Sequence, residues 1–241
     1  MVITSLENEK IKKIKKLKQK KYREQTNKYL IEGKHLVLEA YESKCLDLLI
    51  LVEDIDLKID VDTIYVTKEI MKVLSDVETP PSIMGICSKK KIESFEDRVL
   101  LLDSIQDPGN LGTIIRSAVA FGIDKIYIGK NSVDVYNPKT IRSSQGMIFK
   151  IDIEQTDLLS LIPKLKEKDV TIIGTKVDGG NDLKEFEIPK KFAIIMGNEA
   201  NGVSDEIFKL CDKYLYIKMN SICESLNVAV ATSIILYQFS K

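Results

Sequence analysis

The chain of 241 residues contains one histidine, His35, and four cysteines, at 45, 87, 211 and 223, with no close pair among them. That inventory leaves no four-ligand zinc set, so no metal is expected, and scattered thiols suit a reducing compartment. Long apolar runs are missing as well. The longest, such as Val228–Leu236, fall well short of the roughly 18 residues a membrane helix needs. The lysine-rich N-terminus has no apolar signal region behind it. The expectation is a cytoplasmic protein with no membrane partner. Excess charge of one sign is also lacking: 36 Lys and Arg face 36 Asp and Glu, for a formal net charge of zero. Bulk charge therefore cannot draw this chain to nucleic acid, and only local clustering could build a basic face.

Two common nucleotide motifs are absent. Gly109 and Gly112 are three apart, which breaks the G-x-G-x-x-G spacing of dinucleotide sites and argues against a nucleotide-dependent oxidoreductase. No Gly-Lys-Ser/Thr follows them, so a P-loop is excluded. No internal repeat competes with a two-domain α/β reading.

What is present begins with Lys10–Lys21, where eight lysines surround Ile11, Ile14 and Leu17. The i, i+3, i+6 apolar spacing predicts a strongly basic helix with a narrow buried stripe. Such a helix is either a solvated surface or a contact for phosphates. From Tyr29 to Ser88 short apolar runs alternate with helical patterns: strands at 29–31, 46–52, 63–66 and 83–87, helices around 35–41 and 68–74. Pro80-Pro81 interrupts this unit. The charged stretch 89–97 lacks periodicity and is expected to link a domain of residues 1–88 to one of residues 98–241.

After the linker the strands become β-branched and leucine-rich, at 99–102, 125–128, 170–174, 192–196 and 214–217, with helices between them. That rhythm predicts a parallel sheet covered on both faces. Ligands of such sheets bind beyond the carboxyl ends of the strands. Three loops there carry chemistry-bearing residues. Asp103–Arg116 turns at Pro108-Gly109 and enters a helix near Asn110, a natural N-cap, with Arg116 six residues on, its forked donors suited to phosphate or ribose oxygens. Met196–Ser204 leaves a strand through Gly197, which permits a close approach of backbone to a ligand, places Glu199 in a turn, and reaches Ser204, a candidate helix cap. Ile217–Ala231 carries Ser225 and Asn227 at the start of a final helix with small residues at 229 and 231, where free N–H groups can hold an oxygen. Singly, each loop is ordinary turn and cap chemistry.

Together, Asn110…Arg116, Gly197-Asn198-Glu199 and Ser225-Leu226-Asn227-Val228-Ala229-Val230-Ala231 resemble the three motifs, in order, of the SpoU/TrmH branch of the SPOUT RNA 2′-O-ribose methyltransferases. The resemblance runs from about residue 98 to the C-terminus, and Gly33–Ala40 is similar to the small α/β substrate-binding domain that often precedes it, which itself resembles RNA-binding ribosomal proteins. The resemblance implies a SPOUT parallel sheet whose C-terminal segment forms a trefoil knot, an exception to the near-absence of knots. It implies S-adenosylmethionine as cofactor, with contacts at Gly197, Ile217 and Leu226, and a catalytic set of Asn110, Arg116, Glu199, Ser225 and Asn227. It also implies a homodimer in which Arg116 serves the partner's site, and a structured RNA substrate, 23S ribosomal RNA favoured over transfer RNA because of the extra N-terminal domain. Lys218 and Ser221 depart from the family pattern, which has proline and glycine there. A guanidinium is a poor proton acceptor, so the general base is left between Glu199 and a substrate phosphate. Two alternatives stay open: a transfer-RNA 2′-O-methyltransferase, and a catalytically silent RNA-binding or ribosome-assembly protein. His35 and the cysteines are expected to be structural or to contact RNA.

Overall fold

The structure, a computed structural model, describes residues 2–90, 92–177 and 179–240. Lys91 of the expected linker and the terminal residues Met1 and Lys241 of the expected domains lie outside the described residues. The chain divides into two compact units: Met1–Lys90 with Tyr136–Phe149, and Lys91–Val135 with Lys150–Lys241.

The first unit is a five-stranded mixed sheet in the order β1-β4-β3-β5-β2. Its strands are β1 (Val2–Ile3), β2 (Lys28–Glu32), β3 (Leu46–Val52), β4 (Thr63–Val66) and β5 (Ile83–Ser88), with helices α1 (Glu9–Lys16), α2 (Lys20–Thr26), α3 (Lys34–Glu42) and α4 (Lys68–Leu74). The expected apolar stripe is real: Ile11, Ile14 and Leu17 are buried in one cluster with Ile50, Ile70 and Met84. Each such side chain contributes about 1.5–3 kcal/mol. The single helix expected over 10–21 is two helices, because buried Arg23 donates from Nη1 to the carbonyls of Leu17 (2.8 Å) and Lys18 (2.7 Å). A continuous helix would have offered those carbonyls to N–H groups four residues on. One guanidinium thus closes the end of α1 and fixes the turn into α2.

The second unit is a seven-stranded sheet in the order β10-β12-β9-β11-β6-β7-β8, parallel at every pairing. Its elements run β6 (Arg98–Leu102), α5 (Pro108–Ala120), β7 (Lys125–Gly129), β8 (Asp152–Thr156), α7 (Leu158–Lys166), β9 (Thr171–Lys176), β10 (Asn181–Asp182), β11 (Phe192–Met196), α8 (Asp205–Phe208), β12 (Lys213–Tyr216) and α9 (Val228–Phe239), while α6 (Pro138–Ser143), between β7 and β8 in sequence, belongs to the first unit. β6 and β11 are wholly apolar in their buried positions, with Leu100, Leu101, Ile194 and Ile195 fully inaccessible, as strands covered on both faces must be. The polar edge strands β8 and β10 escaped the sequence reading. Their composition carries no apolar run, and pairing with one neighbour is what makes them strands.

The segment Tyr136–Phe149 lies in sequence between β7 and β8 but clusters with the first unit. The Tyr136 ring packs against Tyr29 of β2, centroids 4.5 Å apart and planes tilted by 40°. The Nε2 of His35 lies 3.3 Å from the carbonyl of Gln145.

Candidate active site at the strand ends

The helix after β6 starts earlier than its sequence suggested. Asp107, not Asn110, is the N-cap of α5: its side chain accepts from the Asn110 N–H at 2.8 Å, and Pro108 occupies the first turn. This correction has a chemical consequence. With the cap supplied by Asp107, the Asn110 side chain is free to link the other two loops. Its Nδ2 donates to Oε1 of Glu199 at 3.0 Å, and its Oδ1 accepts from Nδ2 of Asn227 at 3.0 Å. Asn227 in turn caps α9, its Oδ1 accepting from the N–H groups of Ala229 (2.9 Å) and Val230 (3.3 Å). One hydrogen-bond chain therefore runs from the start of α9 through α5 to the loop after β11.

Glu199 ends that chain. Its carboxylate also accepts from the backbone N–H groups of Gln106 and Asp107, each at 3.3 Å. Partial burial would raise its pKa, but the Asn110 amide and the backbone donors of Glu199, Gln106 and Asp107 outweigh it and hold the carboxyl below its ordinary 4.5. At neutral pH Glu199 is an ionised acceptor.

The Gly197–Val203 loop folds back on itself, and here the reason for glycine differs from the one expected. A Cβ on Gly197 would lie 2.1 Å from the Gly202 carbonyl carbon and 2.2 Å from the Val203 nitrogen. The backbone that comes close is the loop's own. Asn198 and Gly202 exchange two backbone hydrogen bonds, at 2.8 and 2.9 Å, and Gly202 takes φ +71°, which a side chain would disfavour. Two side chains fasten this loop to the end of β6: Asn198 Nδ2 donates to the Ser104 carbonyl at 2.9 Å, and buried Asp103 accepts the Ser204 N–H at 2.8 Å. Ser204 is the N-cap residue of α8 but makes no side-chain cap bond, so the expected position holds and the expected side-chain cap does not. The fastening role of Asp103 was missed from sequence. Its signal was an acid directly after a fully apolar strand, a position that burial makes costly without donors.

Beyond the ends of β9, β11 and β12 lies a cavity of about 600 Å³. The expected cofactor contacts Gly197, Ile217 and Leu226 all line it, as do Glu199 and Ser225 of the catalytic set. Thr175, Lys176 and Tyr216, from the ends of β9 and β12, line it too, as does Ala231, the small residue noted on α9; none of the four was an expected cofactor contact. Ser225 stands in the loop rather than at a cap, and the cap of α9 is Asn227 alone. Arg116 stands apart. It is exposed, it does not line the cavity, and it makes no hydrogen bond or ion pair with the described residues. Six residues after Asn110, it is turned by about 120° around α5 from that residue.

The departures Lys218 and Ser221 cost the backbone little. Among the described residues the non-glycine positions with positive φ are Asn27, Lys44, Ser104, Gln145 and Asp169, so Ser221 does not occupy the left-handed region. It sits instead in a turn that Asn220 closes, its carbonyl accepting the Cys223 N–H at 2.9 Å and its side chain the Ile222 N–H at 3.0 Å.

Comparison with known proteins agrees with this geometry. The SpoU rRNA Methylase family model matches residues 97–237, and the model of an MRM3-like substrate binding domain matches residues 8–85. The chain is 39% identical to the 23S rRNA (guanosine(2553)-2′-O)-methyltransferase RlmP of Bacillus subtilis, over 98% of this chain and 97% of that protein. It superposes with a TM-score of 0.87 on a TrmH-family RNA methyltransferase structure from Porphyromonas gingivalis, at 28% identity and 98% coverage of both chains. The same score is reached with an AdoMet-bound rRNA methyltransferase from Sinorhizobium meliloti, at 26% identity, covering 99% of this chain and 97% of that one. Three loops joined by one hydrogen-bond chain at the ends of a parallel sheet, together with these likenesses, place the chain in the SpoU rRNA methylase family.

Proposed function

We propose that this protein methylates a ribose 2′-hydroxyl of 23S ribosomal RNA with S-adenosylmethionine as methyl donor. The observation that carries the reading is the Asn227–Asn110–Glu199 chain beside the cavity. The whole-length relative that acts on 23S rRNA supports the substrate.

The cavity fits the cofactor. Its volume of about 600 Å³ lies within the roughly 300–1,000 Å³ of small-molecule sites. Met196, Leu215, Leu226 and Ile235 give it an apolar wall suited to a purine, while Glu199, Asp205 and Lys176 offer both signs of charge to an amino-acid group. When bound, S-adenosylmethionine supplies an electrophilic methyl group on a sulfonium.

This chain's residues supply alignment and electrostatics for that transfer. Glu199, ionised and fixed by Asn110, orients a donor hydroxyl, and Asn227 holds Asn110 in the rotamer that does so. Its lowered pKa makes Glu199 a weak proton acceptor, and a phosphodiester oxygen is weaker still, so the residues of this site account for alignment of the hydroxyl and not for removal of its proton. Ser225 lines the cavity mouth, where it positions the ribose. Arg116 anchors phosphate in the site of a second subunit, a role consistent with its exposure and its orientation away from Asn110.

The homodimer belongs to the same proposal. Val230, Ile234 and Tyr237, at i, i+4 and i+7 of α9, are 47%, 39% and 58% exposed, an apolar stripe a monomer leaves wet. On the neighbouring α5, Thr113, Arg116 and Ala120 are exposed. A C2 contact along these helices would cover the stripe and carry Arg116 toward a partner's site. The trefoil knot and a cytoplasmic location also belong here, the former supported by the loops after β11 and β12 enclosing one cavity. Among the described residues no helix is long and apolar enough to cross a membrane.

The test is methyl transfer from labelled S-adenosylmethionine to 23S and transfer-RNA transcripts. Label on 23S RNA is expected. Label on transfer RNA alone would replace the substrate, and RNA binding without cofactor binding would favour the silent alternative.

A further inference from the structure

We propose that the outward face of α1 and α2 is a phosphate-binding surface that grips the RNA backbone. This rests on reading the chain as an RNA-modifying protein and adds the surface by which its first unit holds the substrate.

The surface is built by the fold. Burial of Ile11, Ile14 and Leu17 fixes the rotation of α1, so the lysines between them point outward. Lys10, Lys13 and Lys16 follow one another at i, i+3 and i+6, a ridge whose neighbours stand about 5–6 Å apart at Cβ. Arg23 pins the turn that leads to Lys20 and Lys21. Lys18 is held from below by the Ser75 carbonyl at 2.8 Å and by Asp76 at 2.8 Å. The lysines are therefore mounted on a rigid base.

Their charge is not neutralised locally. Lys12 pairs with Glu7 and Glu9, Lys18 with Asp76 and Lys20 with Glu24. Lys10, Lys13, Lys15 and Lys21 make no ion pair with the described residues, and Lys16 lies only over the Tyr22 ring, at 5.4 Å. All five are exposed. Eight of the chain's 36 basic side chains fall in residues 10–21 with no acid among them, while residues 53–62 hold five acids and one lysine. Acids enough exist to disperse the charge, yet sequence and fold concentrate it. Like charges at this spacing repel, and a polyanion relieves that repulsion by replacing condensed counterions. Rows of lysine on a fixed helix match a phosphate backbone, not a protein partner of mixed charge.

The experiment measures binding of the full-length protein to a 23S RNA fragment and to an unrelated RNA hairpin across salt concentrations, without cofactor. The triple variant Lys10→Ala, Lys13→Ala, Lys16→Ala is compared with Lys68→Ala, Lys72→Ala, which removes exposed lysines from α4 of the same unit. Alanine favours helix, so the variants should fold, and an unchanged melting temperature confirms it. The slope of log K against log salt should fall by about 2 for the triple variant on both RNAs, with about tenfold or greater loss of affinity near physiological salt, while the α4 variant changes little. Unchanged affinity and slope in the triple variant overturn the proposal. So does an equal loss per charge in the α4 variant, which would mean bulk charge rather than this face. Since methyl transfer is not read, failure of the enzymatic reading leaves this result interpretable.

Discussion

Nδ2 of Asn227 donates to Oδ1 of Asn110 at 3.0 Å, although 117 positions separate them in the chain. That bond fixes which way round the Asn110 amide lies, and so presents its N–H₂ group, not its oxygen, to Glu199. The first, second and third motifs become one polar assembly, and perturbing it should affect rate more than stability.

Asn110→Ala removes the centre of the assembly. Its side chain is half-buried and belongs to no apolar cluster, so the melting temperature should move little, while single-turnover methyl transfer should slow by about a hundredfold, the usual cost of lost alignment. Cofactor affinity measured by calorimetry should stay within a few-fold. A loss confined to cofactor binding would assign Asn110 to the wrong partner.

The depressed pKa of Glu199 fixes a pH signature. A carboxyl held below its ordinary 4.5 adds stability above that value, and loses it as pH falls through the lower folded pKa. Between pH 6 and 9 Glu199 does not titrate. Glu199→Gln should therefore lower the rate throughout that range without changing the shape of the profile. Disappearance of an acidic limb, the rise in rate with pH, in this variant would make Glu199 the general base.

Gly197→Ala forces a methyl group to 2.1 Å from backbone, with no flexible side chain to give way. About 2 kcal/mol or more of stability should be lost, together with measurable cofactor binding. By contrast Ser221→Gly, at a position without positive φ, should leave cofactor affinity within about threefold and cost about 0.5 kcal/mol through the freer unfolded chain. Tight binding appearing only in the glycine variant would mean that Ser221 does distort the loop.

If the site is shared between subunits, two inactive variants should rescue each other. Equal mixtures of Arg116→Ala and Asn110→Ala, dissociated and reassembled, should regain about a quarter of wild-type activity, since half the dimers carry one intact site of two. Tyr237→Glu, on the exposed stripe of α9, should yield monomers in sedimentation analysis. No rescue from demonstrated mixed dimers would place Arg116 in its own subunit's site.

Much of this was legible in the sequence where burial dictates residue type. Leu46–Val52, Thr63–Val66 and Phe192–Met196 are strands at the expected bounds, the last because two-sided burial forces a continuous apolar run and Thr63–Val66, only partly buried, because β-branched and aromatic residues favour strands. Edge strands such as Asp152–Thr156 were not legible, since one neighbour decides their pairing. The break between α1 and α2 depends on a buried arginine whose partners lie five and six residues earlier, and periodicity alone is blind to it. In the site, Gly197, Glu199, Ser225, Leu226 and Ile217 were named and meet at one cavity. Thr175, Lys176 and Tyr216 were not, because residues that follow apolar strands have no pattern until the sheet order sets them side by side. Asn110 was singled out for a cap it does not make, and its real partners, 89 and 117 positions away, are visible only in three dimensions.

The central claim is tested most directly by mapping the modified nucleotide. Purified protein, S-adenosylmethionine and unmodified 23S RNA should give a single 2′-O-methylated ribose, detected as one position resistant to alkaline cleavage, with the guanosine matching that of the Bacillus relative the first to inspect. The same reaction with Asn110→Ala should leave that position cleavable. A methyl group found on a base, or a ribose methylated equally well by the Asn110→Ala protein, would contradict the account.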